Sequence, residues 1–367
     1  MAGRAALGPR LPLPACRSRL LQTHAASARW HLDAAVALDI DGVLVRGAQT
    51  LDEGRRALRM LSDGSSALGR IPFVLLTNGG GVSEAAKAAD LSRRLGVPIS
   101  PRQVVLAHSP MQALAARYAA RHVLVVGGAG RRCAEIARAY GFGNVSTPDD
   151  VVAWRPAAWP FMAPPPAPPA RPRDYAADPF HAVLVFHDSF DFGRDLQIVT
   201  DVLRARGGVA GGAPASRQSV PLYMSNADLI FANDFAQPRL GQGAFHVCLR
   251  AMWAALTAGA PLEYTCFGKP FRVQYDFAER LLDRLALDAA PAAAPARLRA
   301  RRIYAIGDNP AADIAGANGA GWTSLLVRTG VFSGANDPTH PAAAVFDHVA
   351  DAVEWIIASE RARQEAA

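Results

Sequence analysis

A mixed α/β fold built on a parallel sheet is the architecture this sequence predicts, and two observations carry that expectation. Short β-branched or aliphatic runs recur along the chain, at Val36–Ile40, Phe73–Leu76, Val104–Leu106, Val123–Val126, Val183–Phe186, Pro221–Met224, Ile303–Ile306 and Ser324–Val327. Stretches with helical spacing of apolar side chains lie between many of them. Strand–helix alternation is the pattern of a parallel sheet with helical crossovers. In such sheets the reactive groups sit on loops just past the carboxyl ends of the strands.

The chain of 367 residues is 50% hydrophobic and 19% charged, enough material for about two domains with buried cores. No run approaches the roughly 18 uncharged apolar residues of a membrane span, so a membrane channel, a coiled coil and a wholly disordered chain all fit poorly. The net charge of +7 is concentrated at the start. Residues 1–32 hold Arg4, Arg10, Arg17, Arg19 and Arg29 and no acid, whereas the rest carries 34 basic against 32 acidic side chains. A body so nearly neutral offers no basic stripe for a nucleic-acid backbone. The cationic, acid-free head reads as a mitochondrial transit peptide, which places the protein in the mitochondrion, in the matrix. Cys16, Cys133, Cys248 and Cys266 are widely spaced and form no CxxC pair, which leaves a zinc ribbon or redox dithiol unsupported.

Taken in order, the body opens with the strand Val36–Ile40, which runs into two carboxylates, Asp39 and Asp41, and then Gly42. Burying carboxylates at a sheet end is costly without a cation or donors. A hard cation between strand end and substrate answers that cost. Mg²⁺ suits it, because it takes oxygen ligands and keeps waters and a phosphate oxygen. The next strand, Phe73–Leu76, ends in Thr77, Asn78 and three glycines, where a hydroxyl and exposed N–H groups can hold phosphoryl oxygens. Residues 83–95 read as a helix capped by Ser83 and closed at Gly96. Residues 156–172 are proline-rich, 206–218 Gly/Ala/Ser-rich and 286–298 Ala/Pro-rich, and all three read as loops or linkers. Phe267-Gly268-Lys269-Pro270 keeps one of only two lysines in an arginine-biased chain, as a compact ammonium would require. A helix over 271–285 follows. Finally Ile303–Ile306 runs into Gly307 and Asp308, with Asp313 five residues on at a helix start. The glycine run Gly127–Gly130 lacks the spacing of a dinucleotide loop.

These four pieces, in this order and each at a strand end, resemble the haloacid dehalogenase superfamily, whose motifs are DxDG, a strand-end Thr/Ser, Lys and GDxxxxD. The separation of 192 positions from Thr77 to Lys269 far exceeds one crossover. The resemblance therefore implies a Rossmann-like core with an inserted α/β cap of the C2 type, the class IIA branch. The phrases LDIDGVLVRG, PFVLLTNGGG, LGQGAF, FGKP, YDFA and IGDNPAADIAGANGAGW, with AVLVFHD in the insert, are similar to the mitochondrial cat eye syndrome critical region protein family. The implied division is a core of 33–110 and 260–358, a cap of 111–259 and a tail of 359–367.

The activity implied is Mg²⁺-dependent hydrolysis of a small phosphomonoester through an aspartyl-phosphate, with a link to mitochondrial glycerophospholipid metabolism. Carried over residue by residue, Asp39 is the nucleophile and Asp41 the general acid and base. Thr77, Asn78 and Lys269 bind the phosphate. Asp39, Asp41 (through its carbonyl) and Asp308 surround the metal, with Asp313 shaping its shell. His187, Asp188, Asp191, Asn226, Asp228 and His108 are candidate readers of the leaving group, each equally suited to a turn or a cap. The partner implied is a small phosphorylated metabolite, with no nucleic acid and no integral membrane span; a homo-oligomer is left open. The alternative is a barely active relative of the fold that serves as a phosphometabolite-binding or interaction module.

Overall fold

The computed structural model describes residues 30–161, 173–231, 235, 237–289 and 301–367. The expected transit peptide up to residue 29, with Cys16, lies outside them. So do most of the proline-rich stretch and residues 290–298 of the Ala/Pro-rich one.

Two parallel sheets organise the chain. The first has six strands in the order Ala344–Phe346, Thr323–Val327, Arg302–Gly307, Ala34–Leu38, Phe73–Leu76 and Val104–Val105. Alternate residues of its central strands feed two cores. Val36, Leu38, Phe73, Leu75, Tyr304 and Ile306 pack against the helices Asp52–Ser62, Glu84–Leu95 and Val349–Glu365. Ala35, Ala37, Val74, Leu76, Ile303 and Ala305 face Arg272–Ala289 and Ala315–Ala320. Both faces are covered, which is why these strands read as unbroken apolar runs. The second sheet, in the order Thr265–Cys266, Leu222–Met224, Ala182–Val185, His122–Val126 and Asn144–Ser146, is also wholly parallel. It carries its own cores on both faces. A Rossmann-like core with an inserted α/β cap is thus the observed architecture. Among the described residues, no helix is long and apolar enough to cross a membrane.

The helix over 84–95 forms as expected, with Ser83 Oγ accepting from the Ala86 N–H and Gly96 closing it in the left-handed region. Several boundaries move. The strand expected at Val36–Ile40 ends at Leu38. Beyond it the Ile40 carbonyl collects the N–H groups of Val43, Leu44 and Val45, which turns the chain away from the ladder. The return to the core, expected at 260, comes later, because Thr265–Cys266 pairs with Leu222–Met224 inside the cap sheet. Residues 286–289, expected as loop, continue the Arg272–Ala289 helix, with Ala286 buried.

The expected tail from 359 is instead the last turns of the Val349–Glu365 helix. Glu360 explains why. Its fully buried carboxylate accepts from Arg302 Nε and Tyr304 Oη, each at 2.6 Å, and lies 3.3 Å from His31 Nε2. Burial alone raises its pKa, but the hydrogen bonds from Arg302, Tyr304 and His31 outweigh burial and bring it down to about 2. A depressed carboxyl pKa gives stability that is present above the unfolded value near 4.5 and lost as pH falls toward 2. Glu360→Gln is therefore expected to cost about 3 kcal/mol at pH 7 and much less near pH 2. Urea unfolding at the two pH values checks this; an equal loss at both would contradict it.

Candidate active site

The sheet register sets the site. Leu38 is level with Ile306 on one side and Leu75 on the other, so the residues just beyond these strands emerge at one edge. Asp39, Thr77 and Asp308 are those residues, and all three are buried. Gly42 makes the turn after Asp41 possible: its φ is +89°, and a Cβ there would come within 2.5 Å of Asp308 Oδ2.

Lys269 ties the cluster together from the end of the inserted domain. Its buried Nζ lies 2.5 Å from Asp39 Oδ1 and 2.6 Å from Asp313 Oδ1, and donates to the Leu76 carbonyl at 3.1 Å. Burial opposes its charge, yet Asp313 and Asp39 hold it firmly protonated. Asp313 Oδ2 accepts the backbone N–H groups of Asp308 (3.2 Å) and Asn309 (3.0 Å). Both Asp313 oxygens are thus engaged, so this carboxylate positions the Asp308 loop and Lys269 rather than offering a free ligand atom. Asp308 Oδ2 accepts the Val331 N–H at 2.7 Å.

Carboxylate oxygens of Asp39, Asp308 and Asp313 lie within 4.8 Å of one another. Burial, followed by neighbouring negative charge, pushes the Asp308 pKa up to about 7. Burial also raises that of Asp39, against the pull of Lys269. A buried all-oxygen cluster in which Asp39 and Asp308 resist ionisation fits a hard divalent cation, whose charge would reverse that resistance.

Thr77 Oγ1 accepts the Gly79 N–H at 2.9 Å and lies 3.4 Å from Asp41 Oδ2 as a donor. Asp41 itself is exposed, open to the cleft solvent. Asn78, expected to bind phosphate, has its side chain fully spent elsewhere. Its Oδ1 accepts the Lys269 N–H at 2.7 Å, while Nδ2 donates to the Lys269 carbonyl (3.0 Å) and to Asp228 Oδ1 (3.1 Å). The role observed is a staple between the Thr77 loop, the Lys269 loop and the cap.

The expected cap residues divide. Asn226 is a second tie, donating through Nδ2 to the Asn78 carbonyl (3.1 Å) and accepting the Asp228 N–H (3.0 Å). Asp228 keeps one oxygen on Asn78, and burial raises its pKa. His187 and Asp188, half-buried and 4.0 Å apart, lie beside the glycine run, with His187 against Gly81. Asp191, expected as a reader, instead caps the Phe192–Arg204 helix by accepting the Arg194 N–H at 3.0 Å. His108 is corrected as well: it is wholly buried at the core–cap junction rather than facing a leaving group. Tyr275 lies within the helix expected over 271–285, and its hydroxyl donates to the Ala312 and Asp313 carbonyls at 3.1 and 3.2 Å and so braces the Asp313 turn. The signal was a tyrosine in an apolar stripe, whose hydroxyl needs a partner when buried. Val331, whose N–H holds Asp308, is engaged through its backbone, which no residue type reports.

Fold and site together define a capped α/β hydrolase with a carboxylate–lysine centre at the carboxyl edge of its core sheet. A haloacid dehalogenase-like hydrolase model matches residues 36–143, and a HAD-hydrolase-like model matches residues 266–352. The chain is 34% identical over 352 residues to a mitochondrial hydrolase of Saccharomyces cerevisiae, covering 87% of this chain and 95% of that one. It is 39% identical over 329 residues to a cardiolipin synthase (CMP-forming)/mitochondrial hydrolase fusion protein of Schizosaccharomyces pombe. That match takes in 89% of this chain but only 53% of the fusion protein, about half its length. The crystal structure of a glycerol phosphate phosphatase from Mycobacterium tuberculosis in complex with magnesium shares the fold, with a TM-score of 0.55 and 20% identity over 87% of this chain and 75% of that one. The chain belongs to the haloacid dehalogenase-like hydrolase family.

Proposed function

We propose that this protein is a Mg²⁺-dependent phosphatase that hydrolyses a small phosphomonoester through an aspartyl-phosphate on Asp39. The observation that carries the reading is the placement of Asp39 between Lys269 and Asp308, with Asp41 against Thr77 on the same sheet edge. Asp39 attacks phosphorus, the bond to the leaving oxygen breaks, and that oxygen takes the Asp41 proton. Asp41, now a carboxylate, accepts a proton from the water that attacks the phosphorylated Asp39, which releases phosphate and restores both residues. Thr77 Oγ1, Lys269 Nζ and backbone amides near Ile40 and Asn78 hold the transferring oxygens. Asp39, Asp308 and the Asp41 carbonyl would hold Mg²⁺, which offsets the repulsion between nucleophile and phosphate.

The cap excludes water and meets the leaving group, with His187 and Asp188 its best-placed side chains. Residues 1–32 act as the transit peptide to the mitochondrial matrix. The mitochondrial names of both yeast relatives support that address, and the fusion to a cardiolipin synthase supports a substrate from glycerophospholipid metabolism.

The test is a panel of glycerol phosphates, nucleotides and sugar phosphates offered to the purified protein with and without Mg²⁺. Phosphate release that EDTA abolishes and Mg²⁺ restores is expected. Release indifferent to EDTA would overturn the reading, and tight binding without release would replace it with a phosphometabolite-binding module.

A further inference from the structure

A second polar cluster sits where core and cap meet, and none of its members is one of the ion-binding carboxylates. Glu84 opens the Glu84–Leu95 helix of the core. Its Oε1 accepts from Tyr140 Oη at 2.5 Å and from Ser109 Oγ at 2.6 Å. Tyr140 belongs to the cap, where it terminates the Arg132–Ala139 helix. Its hydroxyl also lies 2.8 Å from Nδ1 of His108. With the phenol proton given to Glu84, the imidazole is the donor in that contact.

His108 is 0% exposed and stacks on Phe186, at the end of the cap strand Ala182–Val185, with ring centroids 5.4 Å apart. Burial keeps it neutral, with its pKa lowered to about 4. The other face of the contact is the active-site loop. A Cβ on Gly80 would come within 3.0 Å of His108 Cδ2, and the Gly79 carbonyl accepts the Ala107 N–H at 3.2 Å. Gly79 and Gly80 follow directly on Thr77 and Asn78. One unbroken chain therefore runs from a core carboxylate, through a cap phenol and a junction imidazole, to the loop that carries Thr77.

The two links through Tyr140 depend on the docked arrangement. If the cap separates, the Tyr140 hydroxyl and Glu84 lose one another, and Nδ1 of His108 loses the Tyr140 hydroxyl. A buried polar group without its partner is costly, so the chain favours one relative placement of the two sheets.

We infer that Glu84, Tyr140 and His108 form an interdomain latch that holds the cap on the core and fixes the Thr77–Gly81 loop. Tyr140 and His108 are then positioning residues for phosphoryl transfer. Only the kinetic arm of the test rests on the phosphatase reading.

The experiment compares the Mg²⁺-loaded full-length chain with Tyr140→Phe, Glu84→Gln and the double variant, using p-nitrophenyl phosphate as the probe. Each single variant is expected to lower kcat about tenfold with KM within about twofold, and the double variant to be no worse than either, because both changes break the same chain. Amide exchange over residues 79–82 is expected to quicken about tenfold in every variant. Additive losses, an unchanged kcat or unchanged exchange at that loop would overturn the latch. If the parent releases no phosphate, the phosphatase reading falls and the exchange measurement alone decides the latch.

Discussion

Asp39→Asn is expected to reduce phosphomonoester turnover by about four orders of magnitude or more, the scale on which removing a nucleophile acts, while leaving the fold intact. The two effects separate because of how Asp39 is held. Burial, and then the nearby Asp313, Asp308 and Asp41, raise its pKa against the pull of Lys269, so the fold disfavours its ionised form. A neutral isostere relieves that repulsion and leaves Lys269 paired with Asp313 at 2.6 Å. The melting temperature of the variant is thus expected within about 3 °C of the parent. Turnover assays and thermal melts on the same preparation check both halves. Full turnover in the variant would remove Asp39 from the chemistry, and a collapse of the fold would show that its charge is structural.

Lys269→Met should do the opposite, damaging fold and chemistry together. The methionine fills much of the same space but leaves the Asp39 and Asp313 carboxylates facing one another in a buried site without their shared cation. Breaking a buried charge pair in this way costs about 3–5 kcal/mol, a fall in melting temperature on the order of 10 °C for a chain of this size. Turnover should fall by about a hundredfold or more, as when one preorganised donor to the transferring group is removed. Because a divalent ion would supply some of the missing positive charge, Mg²⁺ should raise the melting temperature of the variant more than that of the parent. Melts with and without Mg²⁺ decide it. A variant as stable as the parent would mean that the carboxylates are not ionised around Lys269.

The parts of this molecule most legible in the sequence are those where strand pattern and chemistry coincide. Central strands covered on both faces read as apolar runs, and each run that carries chemistry ends in a polar residue: Asp39, Thr77 or Asp308. Lysine is so rare here that Lys269 stood out by composition alone. Roles that depend on the partner were harder to read. Asn78 looks like a phosphate ligand because it follows Thr77, and only the folded chain brings Lys269 and Asp228 to its amide across 191 and 150 residues. Asp191 and Asp188 are close neighbours, yet one caps a helix and the other stays beside the glycine run. Short elements escaped for a simpler reason. Thr265–Cys266 contributes only two residues to the cap sheet, too few for any periodicity, so no pattern marks it off from a return to the core at 260. The tail expected from 359 is helix because Arg302, Tyr304 and His31 surround Glu360, and those partners lie too far along the chain for any local pattern to announce them.

The account turns on Asp39 as the nucleophile that accepts the phosphoryl group. Acid quenching during steady-state turnover of p-nitrophenyl phosphate, followed by borohydride reduction and peptide mass spectrometry, tests it most directly, since reduction converts a phosphorylated aspartate to homoserine. Homoserine at position 39 is the predicted result; homoserine at position 41 instead, or an unmodified Asp39 in enzyme quenched while its phosphorylated form is kinetically shown to accumulate, would contradict it.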